Sequence, residues 1–219
     1  MSCIVSSLEE REVFYKKNFS IEKVKKWFKK NGLPLPQLCA LDAGTESGIL
    51  KNRKWKGNLY YFPFNELKKQ VKKYVPEDLY YDRNVYPNPE KQLKTFNEKY
   101  LEQELVFDID CQNVKCKKCK TKICKHCINY SKEEALKLIE GLKKEGFEKF
   151  ALIYSGAGYH VHVLDKKAFL LNNNERRKLV KKFHKYSIDS WVSEGNIELI
   201  RMPYSLNGIV SKKVMPASY

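Results

Sequence analysis

The most constraining feature of this 219-residue sequence is a short alternating stretch, residues 104–110, which reads Glu-Leu-Val-Phe-Asp-Ile-Asp. Side chains of a β-strand point alternately to its two faces, so one face would be wholly apolar and the other would carry Asp108 and Asp110. Two ionised carboxylates this close repel each other unless cations lie between them. We therefore predict a buried strand whose end carries two acids suited to divalent metals and phosphoryl chemistry.

A bare Asp-x-Asp is more often a solvated strand end, so the acids need support from elsewhere in the chain. Asp189, between Ile188 and Trp191, would add a third carboxylate. Arg201 ends a last predicted strand, Asn196 to Met202, on one face with Ile197 and Leu199, and a planar guanidinium matches phosphate oxygens. Taken singly, Asp189 is more often a helix-end or turn residue and Arg201 an ordinary strand-end arginine.

Two predicted strands, Phe150 to Tyr154 and Tyr159 to Leu164, are joined by Ser-Gly-Ala-Gly and form a predicted hairpin. Small residues in such a turn let backbone N–H groups approach an anion closely. Ser155 adds a hydroxyl and His160 adds an imidazole, which together suit a triphosphate. The alternative is a tight hairpin whose glycines serve only the turn.

Two Cys-x-x-Cys pairs follow the acidic strand and comprise Cys116, Cys119, Cys124 and Cys127. In a reducing compartment such a cluster indicates a metal site rather than disulfides. Four thiolates favour one tetrahedral, structural Zn²⁺, because no position stays open for water. An iron–sulfur cluster is the alternative, and Cys111 and His126 are spare ligands. We predict a zinc-binding insertion over residues 111–128.

Helices and strands alternate without a regular βαβ repeat, which favours an α+β fold with one domain over residues 1–219. Helical spacing around Val24 to Phe28 predicts one helix. Others are expected at Asn65 to Tyr74, from the capping box Ser131-x-x-Glu134 to Gly146, and at Glu175 to Tyr186. Residues 80–100 are expected to be aromatic and irregular.

The chain carries 42 Lys and Arg against 26 Asp and Glu, a net charge of +16. Such a charge suits a polyanionic partner, nucleic acid before membrane, although a lysine-rich surface alone would explain it. No apolar run approaches the roughly 18 residues of a membrane span, and the start lacks the layout of a secretory signal. We therefore expect a cytoplasmic protein.

In this order, these segments resemble the small catalytic subunit of archaeal and eukaryotic DNA primase. Its first motif is similar to Leu105–Asp110 and is followed in that family by a zinc motif. Its second resembles Tyr154–His160, and its third resembles Ile188–Ser193 continuing through Leu199–Gly208. Tyr61 to Pro89 also looks like the family. The resemblance covers about residue 60 to the end and is closest to a minimal archaeal form.

The resemblance implies a primase-polymerase core with a mixed β-sheet, flanking helices and an inserted zinc knuckle. By the same resemblance, two Mg²⁺ or Mn²⁺ ions would be held by Asp108, Asp110 and Asp189. The incoming nucleotide would be bound by Ser155, Gly156, His160, Arg201, Asn207 and, on a weaker match, Arg53. The four cysteines would hold Zn²⁺. The chain departs from the family at Ala157, where a basic residue is usual, and at Asn207, where histidine is usual. The segment between the second and third motifs is also short.

The implied function is template-directed synthesis of short RNA or RNA/DNA primers on single-stranded DNA by two-metal nucleotidyl transfer. The implied partners are a single-stranded DNA template, NTPs or dNTPs, an RNA primer and a large primase subunit in a heterodimer, with no membrane. An archaeal member would be nucleoid-associated. Two other readings stay open: a primase-polymerase that only extends in repair or end joining, and a non-catalytic zinc-bearing module that binds nucleic acid.

Overall fold

The computed structural model describes residues 5–44, 59–114 and 123–219. The helices in these ranges are α1 (Leu8–Lys17), α2 (Ile21–Lys30), α3 (Leu67–Tyr74), α4 (Pro89–Thr95), α5 (Lys125–Lys144), α6 (Lys166–Phe169), α7 (Asn173–Lys182) and α8 (Ser190–Ser193). The strands are β1 (Leu38–Asp42), β2 (Leu59–Pro63), β3 (Asp78–Asp82), β4 (Asn84–Val85), β5 (Glu102–Gln103), β6 (Leu105–Asp110), β7 (Phe150–Tyr154), β8 (Gly158–Val163), β9 (Leu199–Arg201), β10 (Leu206–Asn207), β11 (Lys212–Lys213) and β12 (Met215–Ala217). None of these helices is long and apolar enough to cross a bilayer.

The strands form two main sheets and a β4–β5 ribbon. The larger sheet has the order β11-β10-β3-β1-β2, with β9 also paired to β3, and the smaller has the order β12-β7-β8-β6. Every strand pair in the described residues is antiparallel. The expected mixed sheet is therefore wrong, although the α+β class holds. The reason is that β8 turns back from β7 and inserts between β6 and β7, which run in the same direction.

The smaller sheet separates two apolar cores, and the alternation along β6 is as predicted. Leu105, Phe107 and Ile109 are fully buried in the outer core beneath α5 and α7. Val106 lies in the inner core, together with residues of β1, β3 and α2. Asp108 and Asp110 share the face of Val106, so the strand directs both acids toward the larger sheet.

Several predicted elements are confirmed. The helix around Val24 to Phe28 is α2, which ends at the cap residue Asn31. The basic helix that was expected up to Tyr74 is α3, which ends at Val75 in a left-handed conformation directly before a proline. The predicted hairpin is β7–β8, with Tyr154 opposite Tyr159.

The capping box at Ser131 is wrong. The helix α5 begins at Lys125, because the sulfur of Cys124 accepts the N–H of Cys127 and caps the first turn. Ser131 instead donates its hydroxyl to the carbonyl of Ile128 (2.9 Å), inside the helix. Glu134 accepts the backbone N–H of Ser187 (2.9 Å) and so ties α5 to the segment after α7.

Two other expectations need correction. Residues 80–100 are not irregular, because they contain the end of β3, the strand β4 and the helix α4, which is capped by Asn88 and has Pro89 in its first turn. The last predicted strand is shorter than expected, since β9 covers only Leu199–Arg201. Ile197 therefore lies outside β9 and shares no strand face with Arg201. The helix expected at Glu175 to Tyr186 is α7, Asn173–Lys182.

Candidate active site

A cavity of about 310 Å³ opens between the two sheets. The larger sheet contributes side chains from β2, β3, β9 and β10, and the smaller sheet contributes side chains from β6 and β8. Six residues singled out from the sequence line this cavity: Asp108, Asp110, Ser155, His160, Arg201 and Asn207. The fold therefore collects acids, donors and a guanidinium from four separate chain segments into one space.

The third acid, Asp189, is tied to the strand that carries the other two. Its backbone N–H donates to the carbonyl of Asp108 (2.8 Å), and its neighbour Ile188 forms a bridge with Ile109. Its side chain caps α8 by accepting the N–H of Trp191 (2.8 Å). Asp189 is thus a helix-end residue, as the plainer interpretation held, and also a neighbour of the acidic strand.

The acids strongly influence one another. Burial and the charges of Asp110 and Asp189 raise the pKa of Asp108 to about 7. Burial also raises the pKa of Asp110. A carboxylate pair that resists ionisation in this way is a ready binding place for a cation, because the cation removes the repulsion.

Carboxylate oxygens are the ligands that Mg²⁺ and Mn²⁺ prefer. Within the described residues, no three His, Cys, Asp or Glu side chains converge closely enough to enclose an ion unaided. Mg²⁺ is characteristically bound by one or two carboxylates completed by water and substrate phosphates, rather than by a cage of protein ligands. The acids of this cavity fit that pattern of donors.

His160 lies directly opposite Asp108 on the neighbouring strand β8. Its Nε2 is 3.5 Å from Oδ1 of Asp108. Burial lowers the pKa of His160 well below its usual value, so the imidazole is neutral at physiological pH. Within the described residues, its buried Nδ1 has no hydrogen-bond partner. A neutral imidazole of this kind can donate to a phosphate oxygen without adding a charge.

Arg201 is held by a buried acid that sequence reasoning missed. Both of its terminal nitrogens contact the carboxylate of Asp78, which is 3% exposed. Asp78 also accepts the hydroxyl of Tyr80 (3.1 Å) and the N–H of Gly208 (3.1 Å). The guanidinium of Arg201 lies 5.2 Å from the centroid of the Tyr80 ring.

Burial alone would lower the pKa of Arg201, but Tyr80 and Asp78 outweigh it and raise that pKa above its usual value. The guanidinium is therefore a permanent positive charge with a fixed orientation at the cavity wall. The only sequence signal for this arrangement was the alternation of Asp78 and Tyr80 along β3, a strand that the sequence analysis did not predict.

The hairpin turn packs against the acidic strand. A Cβ added to Gly158 would lie 2.1 Å from the carbonyl oxygen of Ile109, so no larger residue fits there. Gly156 has φ +95° and would place a Cβ 2.9 Å from that of Asn207. Asn207 donates its side-chain N–H to the carbonyl of Ser155 (2.9 Å). The glycines thus serve more than the turn, since they let it approach β6 and β10.

A buried arginine supports the site from behind and was also missed. Arg83, 3% exposed, donates to the carbonyls of Glu104 (3.1 Å) and Val192 (2.8 Å). It therefore links the start of β6 to α8, and its charge partly offsets the rise in the pKa of Asp108. Glu104 in turn contacts Nδ1 of His162 (2.8 Å).

Half of the predicted zinc site lies within the described residues. The sulfurs of Cys124 and Cys127 are 3.4 Å apart. Tetrahedral zinc–sulfur bonds would place two thiolates about 3.8 Å apart. Of the spare ligands, Cys111 is buried in an apolar cluster with Cys127, whereas His126 is exposed. Cys116, Cys119 and the weakly matched Arg53 lie outside the described residues.

Known proteins are similar to this chain in sequence and in fold. A profile of the DNA primase small subunit family matches residues 107–187. An uncharacterized DNA primase small subunit-like protein of Archaeoglobus fulgidus is 32% identical over 97% of this chain and 84% of its own length. The chain belongs to the DNA primase small subunit family. Longer members are also similar.

The DNA primase small subunit PriS of Thermococcus sibiricus is 30% identical over 78% of this chain and 48% of its own length. The PriS of Pyrococcus abyssi is 37% identical over 34% of this chain and 23% of its own length. The chain thus spans half or less of these two members of its family. In structure, it resembles the polymerase domain of Mycobacterium tuberculosis Ligase D in complex with DNA. That likeness has a TM-score of 0.53 and 10% identity, and it covers 100% of this chain and 88% of the other. It shows that the chain is similar in fold to that polymerase domain.

Proposed function

We propose that this chain synthesises short RNA or RNA/DNA primers on a single-stranded DNA template. The observation that carries the proposal is the cavity between the sheets, where the acids of β6 meet His160 and Arg201 in a chain of the primase small subunit family. In the reaction, a 3′-hydroxyl oxygen bonds to the α-phosphorus of a nucleoside triphosphate. The bond from that phosphorus to the bridging oxygen breaks, pyrophosphate leaves, and the hydroxyl proton passes to solvent.

We assign Asp108, Asp110 and Asp189 as the ligands of two Mg²⁺ or Mn²⁺ ions. When bound there, such ions would lower the pKa of the attacking hydroxyl and neutralise charge on the departing phosphates. The raised pKa of Asp108 and the proximity of Asp189 to the strand that carries the other two acids support this assignment. Arg201 and Arg83 offset the repulsion at Asp108 only in part, since its pKa remains raised, and bound cations would remove more of that repulsion.

The nucleotide's triphosphate would lie against the opposite wall. Arg201 offers a fixed guanidinium, His160 a neutral imidazole donor and Ser155 a buried hydroxyl. Gly156 keeps the turn small, and Asn207 holds that turn through the carbonyl of Ser155. We assign Asn207 to positioning as well as binding, because its N–H already has a partner.

We further propose that Cys116, Cys119, Cys124 and Cys127 hold a structural Zn²⁺. The support is the spacing of the two pairs and the placement of two of the sulfurs at the N-terminus of α5. A helix N-terminus favours thiolates over thiols. The net charge of +16 supports a DNA template as the partner. A large primase subunit is proposed on family grounds alone.

The deciding experiment supplies labelled nucleotides and Mg²⁺ or Mn²⁺ to unprimed and to pre-primed single-stranded DNA. Product on the unprimed strand is the expected result. Product only on the primed strand would replace the proposal with an extension enzyme, or with a catalytic subunit that needs a partner to initiate. Adding a family large subunit separates these two. No product on either strand, with DNA binding intact, would indicate a binding module.

A further inference from the structure

The segment that carries the third acid also presents an exposed tryptophan. Trp191 is 68% exposed, whereas Trp27, the other tryptophan in the described residues, is 4% exposed. Scattered exposed apolar residues are common on protein surfaces, so exposure alone identifies no ligand. The position of Trp191 relative to the cavity is what matters.

The backbone of Trp191 is tied firmly to the acidic strand. Its N–H donates to Oδ1 of Asp189 (2.8 Å), and the N–H of Asp189 donates to the carbonyl of Asp108 (2.8 Å). Its carbonyl accepts the N–H groups of Asn196 (3.0 Å) and Ile197 (3.3 Å). The exposed indole is therefore carried by a short turn whose backbone is joined to the acidic strand β6 through Asp189.

Trp191 does not itself line the cavity, but the cavity wall next to its turn is apolar in part. Val192, the next residue, lines the cavity, as does Ile197, which is 39% exposed. Ile209, 46% exposed, is another lining residue. The cavity thus combines charged groups inside with two partly exposed apolar side chains, Ile197 and Ile209. A flat aromatic ligand attached to phosphate matches both halves of this surface.

We propose that Trp191 stacks on a nucleobase of the nucleic-acid strand that reaches the acid-lined cavity. The inference rests on the proposed function and adds a contact that no motif assigned. Aromatic side chains bind single strands in this way, because every base presents a flat face. The chain's charge of +16 favours a nucleic acid over a protein as the partner. The nearby carboxylate of Glu194 is paired with Arg177 (Nε to Oε2, 3.4 Å). The arginine therefore offsets the repulsion that this carboxylate would exert on an approaching phosphate.

The test measures DNA binding rather than synthesis. Anisotropy of a fluorescein-labelled oligonucleotide is followed at one fixed salt concentration for the wild type, Trp191→Ala and Trp191→Phe. Leu170→Ala is the matched control, because Leu170 is also 68% exposed. We expect Trp191→Ala to weaken binding about tenfold and Trp191→Phe to retain most of the affinity. Leu170→Ala should bind like the wild type, and thermal unfolding of each variant checks that it is folded.

Two substrates separate the two strands that could supply the base. Weakened binding of a plain single strand assigns the stack to the template, and weakened binding only of a recessed primer–template assigns it to the primer end. Intrinsic fluorescence gives a second readout, since quenching by DNA in the wild type should be lost in Trp191→Phe. Unchanged binding of both substrates by Trp191→Ala would overturn the proposal. If Trp191→Ala loses DNA affinity tenfold but the wild type synthesises no product, the proposed reaction would be overturned and the stacking contact would still hold.

Discussion

Replacing Asp108 with asparagine should stabilise the protein while removing its activity. The pKa of this carboxyl rises from 3.8 to about 7 in the folded chain. A raised pKa means that the folded state holds the proton more tightly than the unfolded state. The free energy of unfolding therefore falls as the pH rises from about 4 to about 7, and the whole cost is present above pH 7.

The size of this stabilisation follows from the pKa shift of Asp108. About three pKa units, at about 1.4 kcal/mol each, correspond to roughly 4 kcal/mol. Because the Asp108 side chain keeps 21% exposure, we expect about 2–4 kcal/mol in practice. For a chain of this size that is about 5–12 °C in Tm at pH 8. At pH 4 the difference in Tm should nearly vanish, because the folded wild type then carries a protonated, neutral carboxyl at Asp108 and the variant carries a neutral amide.

The assay is thermal unfolding in EDTA at pH 4 and pH 8. Glu133→Gln is the control, since it removes one negative charge from an exposed position on α5. The reasoning is refuted if Asp108→Asn fails to raise Tm at pH 8 relative to this control. An equal rise at pH 4 would also refute it, because a packing change and not the charge would then be responsible. Added Mg²⁺ should raise the Tm of the wild type more than that of the variant.

Three further predictions follow from the same contacts. Asp78→Asn should raise the KM for the nucleotide about tenfold with a smaller change in kcat, because Arg201 loses the carboxylate that orients it. A fall in kcat alone would contradict this role of Asp78. Gly158→Ala should lower the free energy of unfolding by about 3 kcal/mol in urea titrations, because the added Cβ would clash with the carbonyl of Ile109. A variant as stable as the wild type would contradict that geometry. Elemental analysis should find one zinc per chain in the wild type and less in Cys124→Ser; equal zinc contents would remove Cys124 from the proposed ligands.

The parts of the site that were predictable depend on local rules. Period-two alternation placed Asp108 and Asp110 on one face, and the small residues between two β-rich runs placed the hairpin. These rules need only near neighbours in sequence. They also explain why the α+β class could be predicted from the order of elements alone.

Two of the failures come from contacts between distant segments, and one comes from a competing local signal. Asp78 binds Arg201 across 123 positions, and the alternation of Asp78 and Tyr80 is the only local trace of that contact. The capping box at Ser131 had the right spacing, but Cys124 caps the same helix earlier, so the local signal lost to a competing one. The insertion of β8 between β6 and β7 likewise depends on tertiary pairing, which overrides the expectation of a mixed sheet.

The most direct test of the account is single-nucleotide incorporation on a primed template in Mn²⁺, with Asp108→Asn and Glu133→Gln measured beside the wild type. We expect a primer that is one nucleotide longer, with release of pyrophosphate, for the wild type and Glu133→Gln. We expect no detectable product for a folded Asp108→Asn. Incorporation by Asp108→Asn at the wild-type rate would contradict the assignment of the cavity as the site of nucleotidyl transfer.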